Sequence, residues 1–313
     1  MAEASEYRDH KKRLLSVLIA AYGEDVSPLL EGLQSCIEFG IPDTWQIEIL
    51  VSDQSDQPHP LAEAWNKLPL TTYIHSESKG RSTNRNELAK KSNGHYLLFL
   101  DADALPKTSG FLNRYCDYAE GAQVIVGGTA YMPGHKSEKL RVKIGRIKEE
   151  IAPSVREQNP YSSFSAFNFL IRREVFERVE FDSSITKYGH EDTLFGRSLK
   201  HHCIDIMHID NSAYHMGIDE DAEFMEKTKD AVDGLARLID LGQIDEDVLL
   251  YKYYRYSTKA KLNGLLRLAY KLFGESLKNR LSKGKGPLIL FDVYKLLRLS
   301  SFGLKLQYKK PLG

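Results

Sequence analysis

Cysteine is scarce. The 313 residues hold three, Cys36, Cys116 and Cys203. An odd count with no CxxC pair excludes a disulfide framework and a cysteine-based zinc cluster, and it fits a reducing compartment. Nowhere do about 18 apolar residues run together, so no membrane span is expected. Residues Met1 to Arg13 are polar and charged; they lack the apolar stretch of a secretory signal and are expected to form a flexible lead-in. No GxGxxG follows the first apolar run, which argues against a dinucleotide-binding oxidoreductase. No recognised nucleic-acid motif is present, so no nucleic-acid partner is expected. Net charge is missing too, since 43 Lys+Arg balance 43 Asp+Glu. What is there is 42% hydrophobic and 27% charged, which excludes a disordered polymer or a collagen. The length suffices for one large domain, or one domain with an appendage.

The zero balance hides an asymmetry. Residues 251 to 313 carry 15 Lys+Arg against 2 Asp+Glu, leaving 28 Lys+Arg against 41 Asp+Glu in the first 250. An acidic body joined to a basic tail points to an anionic partner for the tail, such as a phospholipid surface or a pyrophosphate-linked lipid.

Strand and helix signals alternate along the body. Leu14 to Ala21, Ile47 to Asp53, Thr71 to Ile74 and Tyr96 to Leu100 read as strands. Between them, Ser27-Pro28 opens a helix with proline in its first turn, and Arg81 to Ser92 reads as another. Polar residues gather where the strands end, the pattern of a parallel α/β sheet with ligands at its carboxyl edge. Further on, Val124 to Val126 and Ile204 to Ile209 are expected strands, and Ser137 to Glu150, Ile171 to Val179 and a stretch ending near Lys200 are expected helices. From Asp219 onward the expectation is mostly helical.

Five places could carry chemistry. Asp101-Ala102-Asp103 puts two carboxylates at the end of a strongly apolar strand, where they can hold a divalent cation bridging a diphosphate, or be two surface acids. Asp53, also at a strand end, can accept from a ribose hydroxyl or a base N–H, or simply hold a turn. Gly80-Arg81-Ser82-Thr83-Asn84-Arg85-Asn86 offers two guanidinium groups suited to phosphate, or a solvated helix face. Gly189-His190-Glu191-Asp192 offers a general base among helix-capping acids. His215 could complete an oxygen-ligated cation site, or be structural.

In this order the motifs resemble the family 2 glycosyltransferases of the GT-A fold, over roughly Leu14 to Gly217. Ser16 to Tyr22 is similar to the family's opening strand, and Val51-Ser52-Asp53-Gln54-Ser55-Asp56 to its acid-rich turn. Gly80 through Arg85-Asn86 stands in place of the Gly-x-x-x-x-Arg-Asn helix, Leu98 to Asp103 in place of the strand with its DxD, and Glu191-Asp192 in place of the downstream acid pair. The Gly-His-Glu-Asp form with a later His resembles the galactosyl- and N-acetylhexosaminyl-transferring branches. Two positions depart from the pattern: Ser52 stands where a second acid is common, and Ala104 where a third acid often follows the DxD.

The resemblance implies a Rossmann-like, mostly parallel sheet over 14–220 and a mainly helical basic extension over 221–313. It implies an inverting, metal-dependent transfer from a nucleoside-diphosphate sugar, UDP-hexose or UDP-N-acetylhexosamine, to a hydroxyl of a glycan or lipid-linked acceptor in cell-surface polysaccharide synthesis. Ala20 and Tyr22 would border the nucleotide base, Asp53 would bind base or ribose, and Arg81 and Arg85 would lie near the diphosphate. Asp101 would contact ribose or donor sugar. Asp103, with His215, would hold Mn2+ or Mg2+. Asp192 would be the base, with Glu191 positioning hydroxyls. Segments Tyr161 to Asn168 and Gly189 to Asp192 would set the choice of sugar. An inactive sugar-nucleotide-binding scaffold on membranes, a nucleotidyltransferase and a phosphatase are the rival readings. The phosphatase motif wants Thr or Val where Leu105 stands, and the nucleotidyltransferase wants a basic glycine-rich loop where Ala21-Tyr22-Gly23-Glu24-Asp25 is acidic.

In the tail, Leu262, Leu265, Leu266, Ala269, Leu272, Phe273 and Leu277 recur at helical spacing among lysines and arginines, and a second apolar group follows Pro287. Either both helices pack on the catalytic body, or they attach the protein peripherally to the inner, anionic face of a membrane from the cytoplasm.

Overall fold

The structure, a computed structural model, describes residues 12–184, 189–244 and 246–304. Of the expected lead-in, Met1 to Arg13, residues 1–11 lie outside the described residues, and Arg13 opens a strand. Apolar runs build the first elements. Strand β1 (Arg13–Ala21) buries Leu15, Val17, Leu18 and Ile19 completely, each side chain contributing about 1.5–3 kcal/mol of burial. Helix α1 (Ser27–Phe39) carries its proline in the first turn and buries Leu29, Leu30 and Leu33. Then come β2 (Trp45–Asp53), α2 (Ala62–Asn66), β3 (Thr71–His75), α3 (Arg81–Lys91) and β4 (Tyr96–Asp101). Gly80 starts α3 at φ 108°, a conformation that side chains with a Cβ rarely adopt.

The second half is more irregular. It runs β5 (Ala104–Pro106), α4 (Phe111–Tyr118), β6 (Val124–Val126), β7 (Thr129–Ala130), α5 (Leu140–Lys148), α6 (Pro153–Arg156), β8 (Asn168–Arg172), α7 (Arg173–Val179), α8 (Glu191–His201), β9 (Ile206–His208) and β10 (Ala213–His215). Four helices close the chain: α9 (Asp221–Asp240), α10 (Leu249–Lys259), α11 (Asn263–Leu281) and α12 (Ile289–Ser301).

The main sheet has seven strands in the order β3-β2-β1-β4-β8-β6-β9. All neighbours are parallel except β8, which runs antiparallel to both β4 and β6. The chain leaves β1 for β2 on one side and returns to β4 on the other. That reversal opens a crevice at the carboxyl ends of β1 and β4, where α/β sheets take ligands. In register, Ala20 pairs with Asp101 and Ala21 with Asp53, so three expected site positions sit side by side at one edge.

Two expectations are corrected. Ile171 and Arg172 belong to strand β8, not to the following helix. The run Asn168 to Ile171 is wholly buried between two strands, so burial on both faces outweighs the helical pattern that begins at Arg173. The helix expected from Ser137 starts at Leu140, after a turn through Lys136, whose φ is 43°.

A second, three-stranded sheet, β5-β10-β7, was not foreseen. It matters most for the site. Antiparallel pairing sets His215 opposite Ala104, and Met216 N–H donates to Asp103 O at 2.9 Å. The helices of the extension are not a separate appendage at their start. Helix α9 packs on α5, and His190 Nε2 lies 2.9 Å from Ala231 O, tying α9 to the turn before α8. Among the described residues no helix is long and apolar enough to cross a membrane.

Candidate active site

A cavity of about 1280 Å3 opens at the carboxyl ends of β1 and β4. Its lining includes Ala20, Tyr22, Arg81, Arg85, Asp101, Asp103, Glu191, Asp192 and His215. The sheet reversal, the α3 N-terminus, the small sheet and the α8 N-terminus each deliver one part of that set.

Asp53 is the exception. It is 1% exposed and lies beneath the lining rather than in it. Its Oδ1 accepts from Gly23 N–H and Ser55 N–H, and its Oδ2 from Ser55 Oγ and the Tyr73 hydroxyl. Burial pushes this carboxyl up, but the four hydrogen bonds outweigh it and hold it below the usual carboxylate range. In this arrangement Asp53 fixes the loop that presents Tyr22 and Gln54 to the cavity. Tyr22 is 62% exposed, with Lys79 Nζ 5.7 Å from its ring centre.

At the β1–β2 end of the cavity, Asn84 Nδ2 donates to Ala21 O and Ser52 O, joining α3 to the ends of β1 and β2. Ser82 Oγ and Asn84 Oδ1 are buried without a hydrogen-bond partner, and both residues line the cavity. Arg85 is almost fully buried. Its Nη2 donates to Asp101 Oδ1 at 2.6 Å, and its Nη1 lies 3.5 Å from Glu191 Oε1. Arg81 Nη1 approaches the same Glu191 oxygen at 3.9 Å.

The adjacent acids therefore differ. Glu191 faces two guanidinium groups. Asp192 accepts from Thr193 N–H at 2.7 Å. Burial, and the negative Glu191 beside it, push the Asp192 carboxyl up to about 6. The turn that aims both acids inward uses two left-handed residues, Gly189 at φ 97° and His190 at φ 74°. The non-glycine member is held by its bond to Ala231 O.

On the opposite wall His215 Nε2 stands 3.0 Å from Asp103 Oδ2. Burial raises the Asp103 carboxyl, but the hydrogen bond and charge of His215, together with Arg81, lower it further, to below its usual range. A Cβ at position 217 would sit 2.0 Å from Asp103 Oδ2, so any residue but glycine there would push that carboxylate aside. Among the described residues no group of three or more acids, histidines and cysteines gathers to hold a metal. A carboxylate oxygen and an imidazole nitrogen nonetheless converge at the right spacing for two ligands of an open site, with glycine clearing the space beside them.

Sequence reasoning missed what stands behind His215. Its Nδ1 lies 3.2 Å from Arg141 Nη2 and 3.4 Å from the Tyr131 hydroxyl. Both groups also donate to Glu149: Tyr131 at 2.6 Å, and Arg141 through two bonds of 2.8 and 2.9 Å. A guanidinium can only donate, so Arg141 makes Nδ1 the accepting nitrogen and leaves Nε2–H to donate to Asp103 Oδ2. Ligation of a metal through Nε2 would shift that proton to Nδ1, where the Tyr131 hydroxyl can accept it once Arg141 turns away.

The sequence model of glycosyl transferase family 2 matches residues 16–180. The chain belongs to that family. Its matched segment spans β1 to the strand–helix unit after the DxD, and so contains Asp53, Arg81, Arg85, Asp101 and Asp103. Among solved structures the chain is similar to a mannosyltransferase of Pyrobaculum calidifontis, PcManGT, in complex with GDP-Man and Mn2+. The match has a TM-score of 0.58 at 16% identity and covers 93% of this chain and 86% of that one. S. aureus TarS 1-349 matches at a TM-score of 0.48 and 15% identity over 94% of this chain and 93% of that one. No curated protein sequence matches the chain. The family 2 membership and the GT-A architecture agree with the sheet order and the crevice described above.

Proposed function

We propose that this family 2 transferase moves a sugar, with inversion, from a UDP-hexose or UDP-N-acetylhexosamine donor to a hydroxyl of a glycan or lipid-linked acceptor. The observation that carries the reading is the unequal pair at the α8 N-terminus, facing Asp103 and His215 across one cavity. A buried carboxylate raised by its surroundings, with a neighbouring acid set against guanidinium groups, is the mark of an assigned base. Asp192, pushed up to about 6, is a stronger base than an ordinary carboxylate and is still ionised at neutral pH. Glu191, held against Arg85 and Arg81, is suited to orienting hydroxyls.

The acceptor oxygen attacks the anomeric carbon from the face opposite the leaving group. A C–O bond forms to the acceptor, the C–O bond to the diphosphate breaks with its electron pair going to phosphate oxygen, and the acceptor proton passes to Asp192. Tyr22, Ala20 and Gln54 border the base, while Asp53 acts through the loop that carries Tyr22 and Gln54. Arg81 and Asp101 face the ribose–diphosphate region, with Arg85 fixing Asp101. Asp103 Oδ2 and His215 Nε2 would hold Mn2+, which an imidazole ligand suits better than Mg2+. When bound, it would neutralise charge on the departing diphosphate. The GDP-Man and Mn2+ of the mannosyltransferase structure support a nucleotide sugar and a divalent cation of this kind. A cytoplasmic, polysaccharide-building role fits the same donor chemistry.

Thermal shift against UDP-, GDP- and dTDP-sugars, with and without Mn2+, tests the donor, since a ligand of the folded state raises its stability by mass action. A UDP-sugar is expected to give the largest Mn2+-dependent rise, and transfer from it should disappear in Asp192→Asn. No shift with any donor, or transfer retained by that variant, overturns the assignment.

A further inference from the structure

Helix α11 has an apolar side that none of the described residues covers. Tyr270, Gly274, Leu277 and Leu281 face inward, packed near Phe291 and Tyr294 of α12 and Met225 of α9. On the other side, Leu265, Leu268 and Leu272 are 65%, 52% and 62% exposed. Their spacing of three and four residues places them in one row. Phe273, at 61%, stands at the edge of that row. A helix apolar all round belongs in an interior, yet half of this one faces out, in a helix too charged to span a membrane.

Charge indicates the occupant. Helix α11 carries Arg267, Lys271, Lys278 and Arg280 against the single acid Glu275. Lys278 is committed to Glu226, and the Arg267 guanidinium lies against Gly303; Lys271 and Arg280 are exposed on the two flanks of the row, with Glu275 following it. Residues 251–313 as a whole hold 15 Lys+Arg and 2 Asp+Glu. A second copy of the chain would bring the same basic rim against this one, and like charges meeting in a self-complementary interface repel. A row of aliphatic side chains flanked by cations matches the interfacial layer of an anionic bilayer, where leucines enter the acyl boundary and bases meet phosphate headgroups.

We propose that the outer face of α11, Leu265, Leu268, Leu272 and Phe273 with Lys271 and Arg280 beside them, docks the protein in plane on an anionic phospholipid surface. The attachment is independent of the transfer reading, because it asks nothing of the sugar site. Co-sedimentation of the full chain with phosphatidylcholine vesicles carrying roughly 30% phosphatidylglycerol should show binding that pure phosphatidylcholine does not support. The exposed triple variant L265Q/L268Q/L272Q should keep the melting temperature and bind the anionic vesicles at least about tenfold more weakly. If the triple variant fails to fold, Lys271→Glu with Arg280→Glu tests the same surface through its charge and should weaken binding similarly. Three results would overturn the proposal: no binding of the full chain to anionic vesicles; undiminished binding by the folded variants; or a dimer in analytical ultracentrifugation that the leucine variant converts to monomer, which would assign the face to a second copy.

Discussion

Replacing Asp192 by Asn should stabilise the protein while removing its activity, and the size of the gain follows from the site. The native carboxyl sits near 6, where an unfolded aspartate sits at 3.8. Between those values the native state binds a proton that the unfolded chain releases. Stability therefore falls as pH rises through the window, and the full cost is present above pH 6. A difference of about two units corresponds to about 3 kcal/mol. The side chain is only half-buried and lines the open cavity, which reduces this to about 1–3 kcal/mol. Asparagine keeps an oxygen to accept from Thr193 N–H and carries no charge beside Glu191, so the variant loses the cost without losing the bond. For a chain of this length the expected rise in Tm is about 2–5 °C at pH 7.5, shrinking toward zero as pH falls to about 4. Transfer should fall by about 100-fold or more, as for loss of a general base, with donor binding retained. In the wild type, turnover should decline as pH drops through 6. A variant that melts lower than wild type, or a Tm gain that does not change with pH, would refute the reasoning.

Three further outcomes follow from neighbouring geometry. Tyr131→Phe removes the hydroxyl between His215 and Glu149, and Mn2+ titrated calorimetrically should bind about tenfold more weakly, with the fold unchanged by circular dichroism. Gly217→Ala puts a methyl 2.0 Å from Asp103 Oδ2; the carboxylate must move, and the Mn2+-dependent thermal shift should vanish even though neither ligand is altered. Arg85→Ala leaves Asp101 and Glu191 facing each other without the guanidinium that lies 2.6 and 3.5 Å from them. Urea unfolding should show a loss of about 3 kcal/mol, and Arg85→Lys should restore little, because one ammonium lacks the fork that meets two carboxylates.

Local signals made much of the catalytic body legible. The strands β1, β2 and β4 are long apolar runs that stop abruptly at polar residues, so both their existence and the polar ends that border the cavity could be read from the sequence. Asp101 and Asp103 could be placed at the crevice because the run Tyr96 to Leu100 leads straight into them. The small sheet could not be read, since three-residue strands carry no periodicity. His215 was joined to Asp103 only through the family resemblance, and the physical reason it lies there is its pairing opposite Ala104. Arg141, Tyr131 and Glu149 come from a helix and two loops with no shared motif. Tyr131 meets the other two by packing on α5 at Gly145 and Val142. Strand β8 was partly misread because its last two residues precede a strongly helical run.

Asp53 and Asp192 show why residue type at a strand end or helix start does not fix a role. Both are carboxylates at the edge of the same crevice, and both were marked from sequence for direct contact with ligand. The structure gives Asp53 four donors, which fill its acceptor positions and lower its proton affinity. Asp192 has Thr193, whose N–H bond does not offset a negative neighbour and burial, and its proton affinity rises. Hydrogen-bond supply thus makes one carboxylate a structural anchor and leaves the other able to take a proton. Supply of that kind is set by side chains that the sequence places far apart: Gly23, Ser55 and Tyr73 for the first, and Arg85 and Arg81, which turn toward Glu191, for the second. Removing donors from Asp53 should therefore loosen the loop that carries Tyr22, whereas Asp192 could be turned into an anchor only by bringing new donors to it.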